Sequence, residues 1–256
     1  MTATTGEALA PGDVEAFRRD GFLILHDFLG ESLLSELRTA YDEVIDRSVV
    51  ATGDRMLGGL TRQVMLPSLD HTIFDRNDAV RHGIRLGRHL LGTDDVFRSF
   101  DMLIYKPPGH PHETPWHQDM SYADHPFARA GSTITQESLQ FWVALDDVDD
   151  ENGCMHFVPG FHDQPLLAHR VASGDPRDDS RLLEIADPGR DLAGATVVAA
   201  PLSAGGATVH SYGTPHYTPP NRSTDRPRRA YIFNVATGAA ARAIAGHDRP
   251  SSEPRQ

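Results

Sequence analysis

One cysteine, Cys154, and one lysine, Lys106, stand among 256 residues. A lone thiol closes no internal disulfide, so the fold must be held by its core. The opening MTATTGEALAPGD lacks the charged, then apolar, then small-residue order of a secretory leader, and the expected compartment is the reducing cytoplasm. No apolar run approaches the roughly 18 residues that a membrane helix needs. Basic charge is scarce as well: 24 Lys and Arg against 36 Asp and Glu leave a net charge of -12. That balance argues against a general nucleic-acid surface, whose affinity comes mostly from neutralising phosphates. What the chain does have is length, enough to bury roughly 70–75% of its unfolded surface as one domain spanning 1–256.

The hydrophobic pattern changes partway along. Residues 1–95 read as mostly helical support. Asp13 is a candidate N-cap for a helix through Phe17 that Gly21 ends, and Phe22, Ile24 and Leu25 form a short apolar strand. From Glu31 to Arg47, Leu33, Leu34, Leu37, Tyr41, Val44 and Ile45 recur at three and four residues, one face of an amphipathic helix. Asn77 opens a second such helix running to Gly92. From 96 to 240 the pattern predicts short strands near 97–106, 117–122, 137–146, 153–159, 195–200, 207–212 and 229–236. With no helices between them these strands must pair antiparallel, as a sandwich or barrel. The acidic stretch 172–191 reads as an insertion over one mouth, a candidate lid, and 246–256 reads as a disordered tail.

The sharpest local feature is Pro115-Trp116-His117-Gln118-Asp119. In an extended segment residues i and i+2 share a face, so His117 and Asp119 can offer an imidazole nitrogen and a carboxylate oxygen to one metal while Gln118 points away. A third donor must come from later in the chain, from His210 or His216. His216 is preferred, because a reversal between His216 and Arg228 would make those two antiparallel neighbours facing one cavity. Two histidines and one carboxylate leave half of an octahedron open, an arrangement suited to non-haem Fe(II). A buried His117–Asp119 hydrogen-bonded pair, or a zinc hydrolase, would use the same residue types. Neither accounts for a basic residue downstream of His216.

Five segments, FRRDGFLILHDFL, YKPPG, TPWHQD, FWVALDDVDDENGCMHFVPGFH and HYTPPNRSTDRPRRA, follow one another in an order and spacing that resembles the phytanoyl-CoA dioxygenase-like Fe(II)/2-oxoglutarate oxygenases. The resemblance implies a mainly β fold with flanking helices, a double-stranded β-helix (a cupin-like jelly roll). It implies iron(II), 2-oxoglutarate and O2 as cofactor and cosubstrates, with His117, Asp119 and His216 as metal ligands. It also implies that Arg228 pairs with the far carboxylate of 2-oxoglutarate, Arg229 taking that role if the register slips by one. Trp142 matches a residue lining the cosubstrate pocket, and Thr218 a hydroxyl reaching the same carboxylate. The reaction implied is oxidation of a small molecule with release of succinate and CO2, hydroxylation being favoured over desaturation, cyclisation or epimerisation; a non-catalytic metal-binding jelly roll is the alternative. Asp119 occupies the position that halogenating relatives leave vacant, and Phe161 departs from a usual small polar residue. Lys106 reads as a snorkelling strand-end residue, the alternative being a contact to an anionic group near the mouth, and His110 and His112 as solvent-exposed. Arg62, Gln63 and Tyr122 lie where selectivity would be set. No nucleic-acid or membrane partner is expected, and a homodimer is compatible with the family.

Overall fold

The computed structural model describes residues 9, 11–58, 61–122, 137–175 and 182–240. In chain order its elements are α1 (Pro11–Asp20), β1 (Phe22–Leu25), α2 (Glu31–Ile45), β2 (Gly53–Leu57), β3 (Thr61–Met65), α3 (Thr72–Asp75), α4 (Asp78–Leu91), β4 (Val96–Lys106), β5 (Thr114–His117), β6 (Ser138–Ala144) and β7 (Met155–Phe157). They continue with β8 (His169–Val171), β9 (Leu183–Ile185), α5 (Pro188–Asp191), β10 (Val198–Ala200), β11 (Ala207–Ser211), β12 (His216–Thr218) and β13 (Arg228–Thr237). A large sheet runs β1-β11-β6-β13-β4-β3-β2 and faces a small sheet β10-β7-β12-β5, with β8 and β9 forming a separate hairpin. Every pairing between named strands is antiparallel. The architecture is a double-stranded β-helix.

Alternation along the central strands divides the core in two. Leu103, Phe141, Val143, Val209, Tyr231 and Phe233 point outward and are covered by Leu34, Leu37 and Tyr41 of α2 and by Val80, Leu86 and Leu90 of α4. Each such large side chain contributes roughly 1.5–3 kcal/mol by leaving water. Helix α4 comes so close to the sheet that a Cβ at Gly83 would lie 2.4 Å from the Phe233 ring, so only glycine fits there. Its start is fixed by Asn77, whose side-chain oxygen accepts from Val80 N at 2.9 Å. The alternate residues, Ile104, Trp142, Ala144, Ala230 and Ile232, point inward and meet Met155, Phe157 and Ala200 of the small sheet.

Several expectations need correction. Within the mostly helical first 95 residues, β2 and β3 were not expected; they extend the large sheet beyond β4. Their inward positions carry Arg55 and Gln63, polar residues that hid the strand pattern. Asp13 does not cap α1, which begins at Pro11 and holds Asp13 in its first turn. The strand expected at 117–122 ends at His117, and Asp119–Tyr122 is a 3-10 turn. Within 172–191, β9 pairs with β8, and Leu183 N donates to the hydroxyl of Tyr122, at the end of the 3-10 turn after β5, at 3.0 Å. The expected tail at 246–256 lies outside the described residues.

Candidate metal and cosubstrate site

The two halves of the candidate site sit on opposite sheets. On the small sheet, β5 and β12 pair so that His117 and His216 are directly opposite, with ring centroids 4.1 Å apart. Their Nδ1 atoms lie 2.7 Å from Pro115 O and 3.0 Å from Thr214 O. A carbonyl only accepts, so each Nδ1 carries the proton and each Nε2 offers a bare lone pair. The 3-10 turn swings Asp119 back toward them, placing Oδ1 3.7 Å from His117 Nε2 and 3.6 Å from His216 Nε2. These are the spacings at which three donors can close on one ion, and all three side chains are buried.

Gln118 holds this turn. Its Nε2 donates to Gly213 O at 2.7 Å, its Oε1 accepts from Leu167 N at 3.0 Å, and its backbone N–H donates to His169 Nε2 at 3.1 Å. The side chain points away from the donor set, as the alternation predicts.

Electrostatics prepare the three residues for a cation. Burial, then the His117 imidazole, keeps His216 well below the usual histidine value and therefore neutral. Burial likewise lowers His117. Burial by itself would raise the Asp119 carboxyl, but His216, the hydrogen bond from His210 and His117 hold it down at about 2. The group is a carboxylate between two uncharged imidazoles.

On the large sheet, Arg228 of β13 and Lys106 of β4 are register partners on the inner face. Both are almost completely buried. Lys106 Nζ donates to Thr218 Oγ1 and to Pro219 O, each at 2.9 Å. Arg228 Nη2 donates to the same hydroxyl at 3.1 Å, and its guanidinium lies 5.3 Å from the centre of the Trp142 ring. Burial lowers Arg228 to about 10, still cationic at neutral pH. Burial and Arg228 together push Lys106 well below the usual lysine value. Among the described residues neither cation is ion-paired with a carboxylate, and Arg228 Nε and Nη1 are buried without a hydrogen-bond partner. Two adjacent buried cations, one of them with unused donors, are an unsatisfied arrangement that a bound anion would complete.

Some expectations fail here too. His216 and Arg228 are not neighbouring strand partners; they face each other from different sheets. Lys106 does not snorkel: its 0% exposure places it inside. Arg229 points outward, where Asp146 and Asp42 bind it, so the one-residue slip does not occur. Arg62 is pinned by Asp54 at 2.9 Å and by the Ile45 carbonyl, away from the inner face. His110 is buried, its Nε2 2.9 Å from Thr61 Oγ1. His210, the other candidate for the third donor, instead reaches Asp119 as a hydrogen-bond donor together with Gln140, which the sequence reading did not single out.

Two histidines near this region yield a prediction for the metal-free protein. Burial, followed by Lys106, lowers His110 to about 4, and burial lowers His169 to about 4. In the unfolded chain both take up protons near the ordinary value of 6.5, well before the folded protein does. Protonation therefore favours unfolding, and the melting temperature should fall steadily between about pH 6.5 and about pH 4. A melting temperature that stays flat over that interval contradicts the burial of these two rings.

A family model described as phytanoyl-CoA dioxygenase matches residues 17–230. The chain belongs to the phytanoyl-CoA dioxygenase family. Within it, phytanoyl-CoA dioxygenase domain-containing protein 1 of Bos taurus is 24% identical over 90% of this chain and 91% of its own. The zebrafish protein of that name (Danio rerio) is 30% identical, but the match spans only 52% of this chain and 43% of the relative. EvdO2 of Micromonospora carbonacea var. aurantiaca superposes with a TM-score of 0.75 at 31% identity, covering 93% of this chain and 94% of that one. EvdO2 has also been crystallised with 2-oxoglutarate. The epimerase SnoN, solved with Fe3+, alpha ketoglutarate and nogalamycin RO, superposes at 0.66 with 25% identity, over 96% and 93% of the two chains.

Proposed function

We propose that the chain is an iron(II)- and 2-oxoglutarate-dependent oxygenase that oxidises, most simply by hydroxylation, a small organic molecule. The observation that carries this reading is the position of Thr218. It stands two residues after His216 on β12, with both side chains buried, and its hydroxyl receives both Lys106 and Arg228. Two residues of a strand span roughly 7 Å, a length suited to a five-carbon dicarboxylate held by a metal at one end and by a guanidinium at the other. His117, Asp119 and His216 would hold the iron. Arg228 would bind the far carboxylate through its unused Nε and Nη1, and Lys106 and Thr218 would complete that pocket. Trp142 forms its apolar wall and shields the charges from water. When bound, iron would supply the oxygen-activating chemistry that no side chain provides, with O2 as the oxidant that converts the cosubstrate to succinate and CO2. The likeness to SnoN, solved with nogalamycin RO, supports a specialised metabolite as the substrate class.

Anaerobic addition of Fe(II) and 2-oxoglutarate to the purified protein should produce the visible charge-transfer band of the chelate. In air, succinate should form. Metal binding with neither signal would instead identify a non-catalytic jelly roll. SnoN is an epimerase, which gives a second reaction type to test: a product that has gained one oxygen atom supports hydroxylation, and a product of unchanged composition with inverted stereochemistry supports epimerisation.

A further inference from the structure

We infer that Gln140 and His210 are positioning residues that grip one oxygen of Asp119 so that only the other is offered to the metal. The inference rests on the oxygenase reading and concerns a feature of the site that this reading does not require. His210 of β11 and Gln140 of β6 are register partners, so their side chains leave the inner face of the large sheet side by side. Both are buried. Across the cavity they converge on a single atom: Gln140 Nε2 donates to Asp119 Oδ2 at 2.5 Å, and His210 Nε2 donates to it at 3.1 Å. Oδ1 is the oxygen that faces His117 and His216.

The tautomer separates His210 from the other two imidazoles. A carboxylate oxygen only accepts, so His210 carries a proton on Nε2, and its Nδ1 has no hydrogen-bond partner. His117 and His216 carry theirs on Nδ1 and present bare Nε2 atoms. His210 therefore meets the site as a donor, although its ring centroid is only 4.4 Å from that of His216.

The grip has a chemical purpose. A carboxylate with a free second oxygen can turn and bind a metal through both, taking a position that the open face must keep for the cosubstrate and oxygen. Two N–H donors on Oδ2 oppose that turn and fix the orientation of the ligand.

The test uses the full chain and removes donors without removing bulk: Gln140→Met and His210→Phe, with His210→Gln retaining an N–H donor. Co(II) affinity is measured by titration, and exchangeable water on bound Mn(II) by proton relaxation, each alongside a thermal melt. Loss of either donor should weaken Co(II) binding by roughly 10–100-fold and reduce the water count on Mn(II), with His210→Gln largely restoring both. A residue that merely fills space would change the melt and leave affinity and water count alone. Folded Gln140→Met protein with wild-type affinity and water count overturns the inference, even if His210→Phe fails to fold. Wild-type protein that binds no metal would overturn the oxygenase reading itself, so the two failures are distinguishable.

Discussion

Arg228→Ala should weaken 2-oxoglutarate binding by roughly a hundredfold or more while leaving the metal affinity unchanged. Breaking a buried ion pair costs about 3–5 kcal/mol, equivalent to a hundred- to several-thousand-fold in affinity. The lower part of that range is expected because Lys106 remains beside the vacated position and still donates to Thr218. Without Arg228 its ammonium also loses a repulsive neighbour. The apo-protein should not suffer in proportion. Arg228 is a buried cation with two unused donors, so removing it relieves a desolvation penalty while losing its contacts with Trp142 and Thr218. The diagnostic measurement is the melting temperature with and without cosubstrate. Saturation at a hundred times Kd stabilises a folded protein by about 2.7 kcal/mol, and at the same concentration the variant should show little of that gain. An unchanged dissociation constant would remove Arg228 from the cosubstrate pocket.

The second large effect concerns the metal. His216→Ala should abolish turnover and weaken Fe(II) or Co(II) binding by more than the roughly 10–100-fold expected for loss of an outer partner. The comparison with His210→Ala is informative, because the two imidazoles are buried neighbours of opposite tautomer. His210→Ala should retain one metal equivalent at reduced affinity. If the two variants exchange these behaviours, the assignment of donor and ligand is reversed.

How much of this was legible beforehand follows from the range over which each residue acts. WHQD pointed to a candidate metal pair because two donors at i and i+2 are a local pattern, and the two side chains converge even though the strand stops at His117 and the turn carries Asp119. β4, β6, β7, β11 and β13 lie within two residues of their expected bounds, their alternation being set by the same two-faced burial that builds the core, whereas the short strands β8, β9 and β12 have too few residues to show alternation. Lys106 was misread because a charged residue at a strand end is ordinarily solvated. Only the pairing of β4 with β13 shows that it stands opposite Arg228 inside the barrel. Gln140 escaped notice, and His210 was weighed only as a metal ligand, for the same reason, since their contact with Asp119 depends on two strands lying side by side and facing a third segment. The β2–β3 pair was missed because its inner face carries Arg55 and Gln63 in place of apolar residues.

The pairing of His117 with His216 joins segments about a hundred residues apart in the chain. Contacts of such long range form late, after the entropy of closing the intervening chain has been spent. Iron would therefore find no complete set of ligands in a partly folded chain, and would bind only after β5 and β12 have come together. Its benefit should then appear as slower unfolding, with the refolding rate scarcely changed. The lifetime of the folded enzyme becomes a function of metal supply.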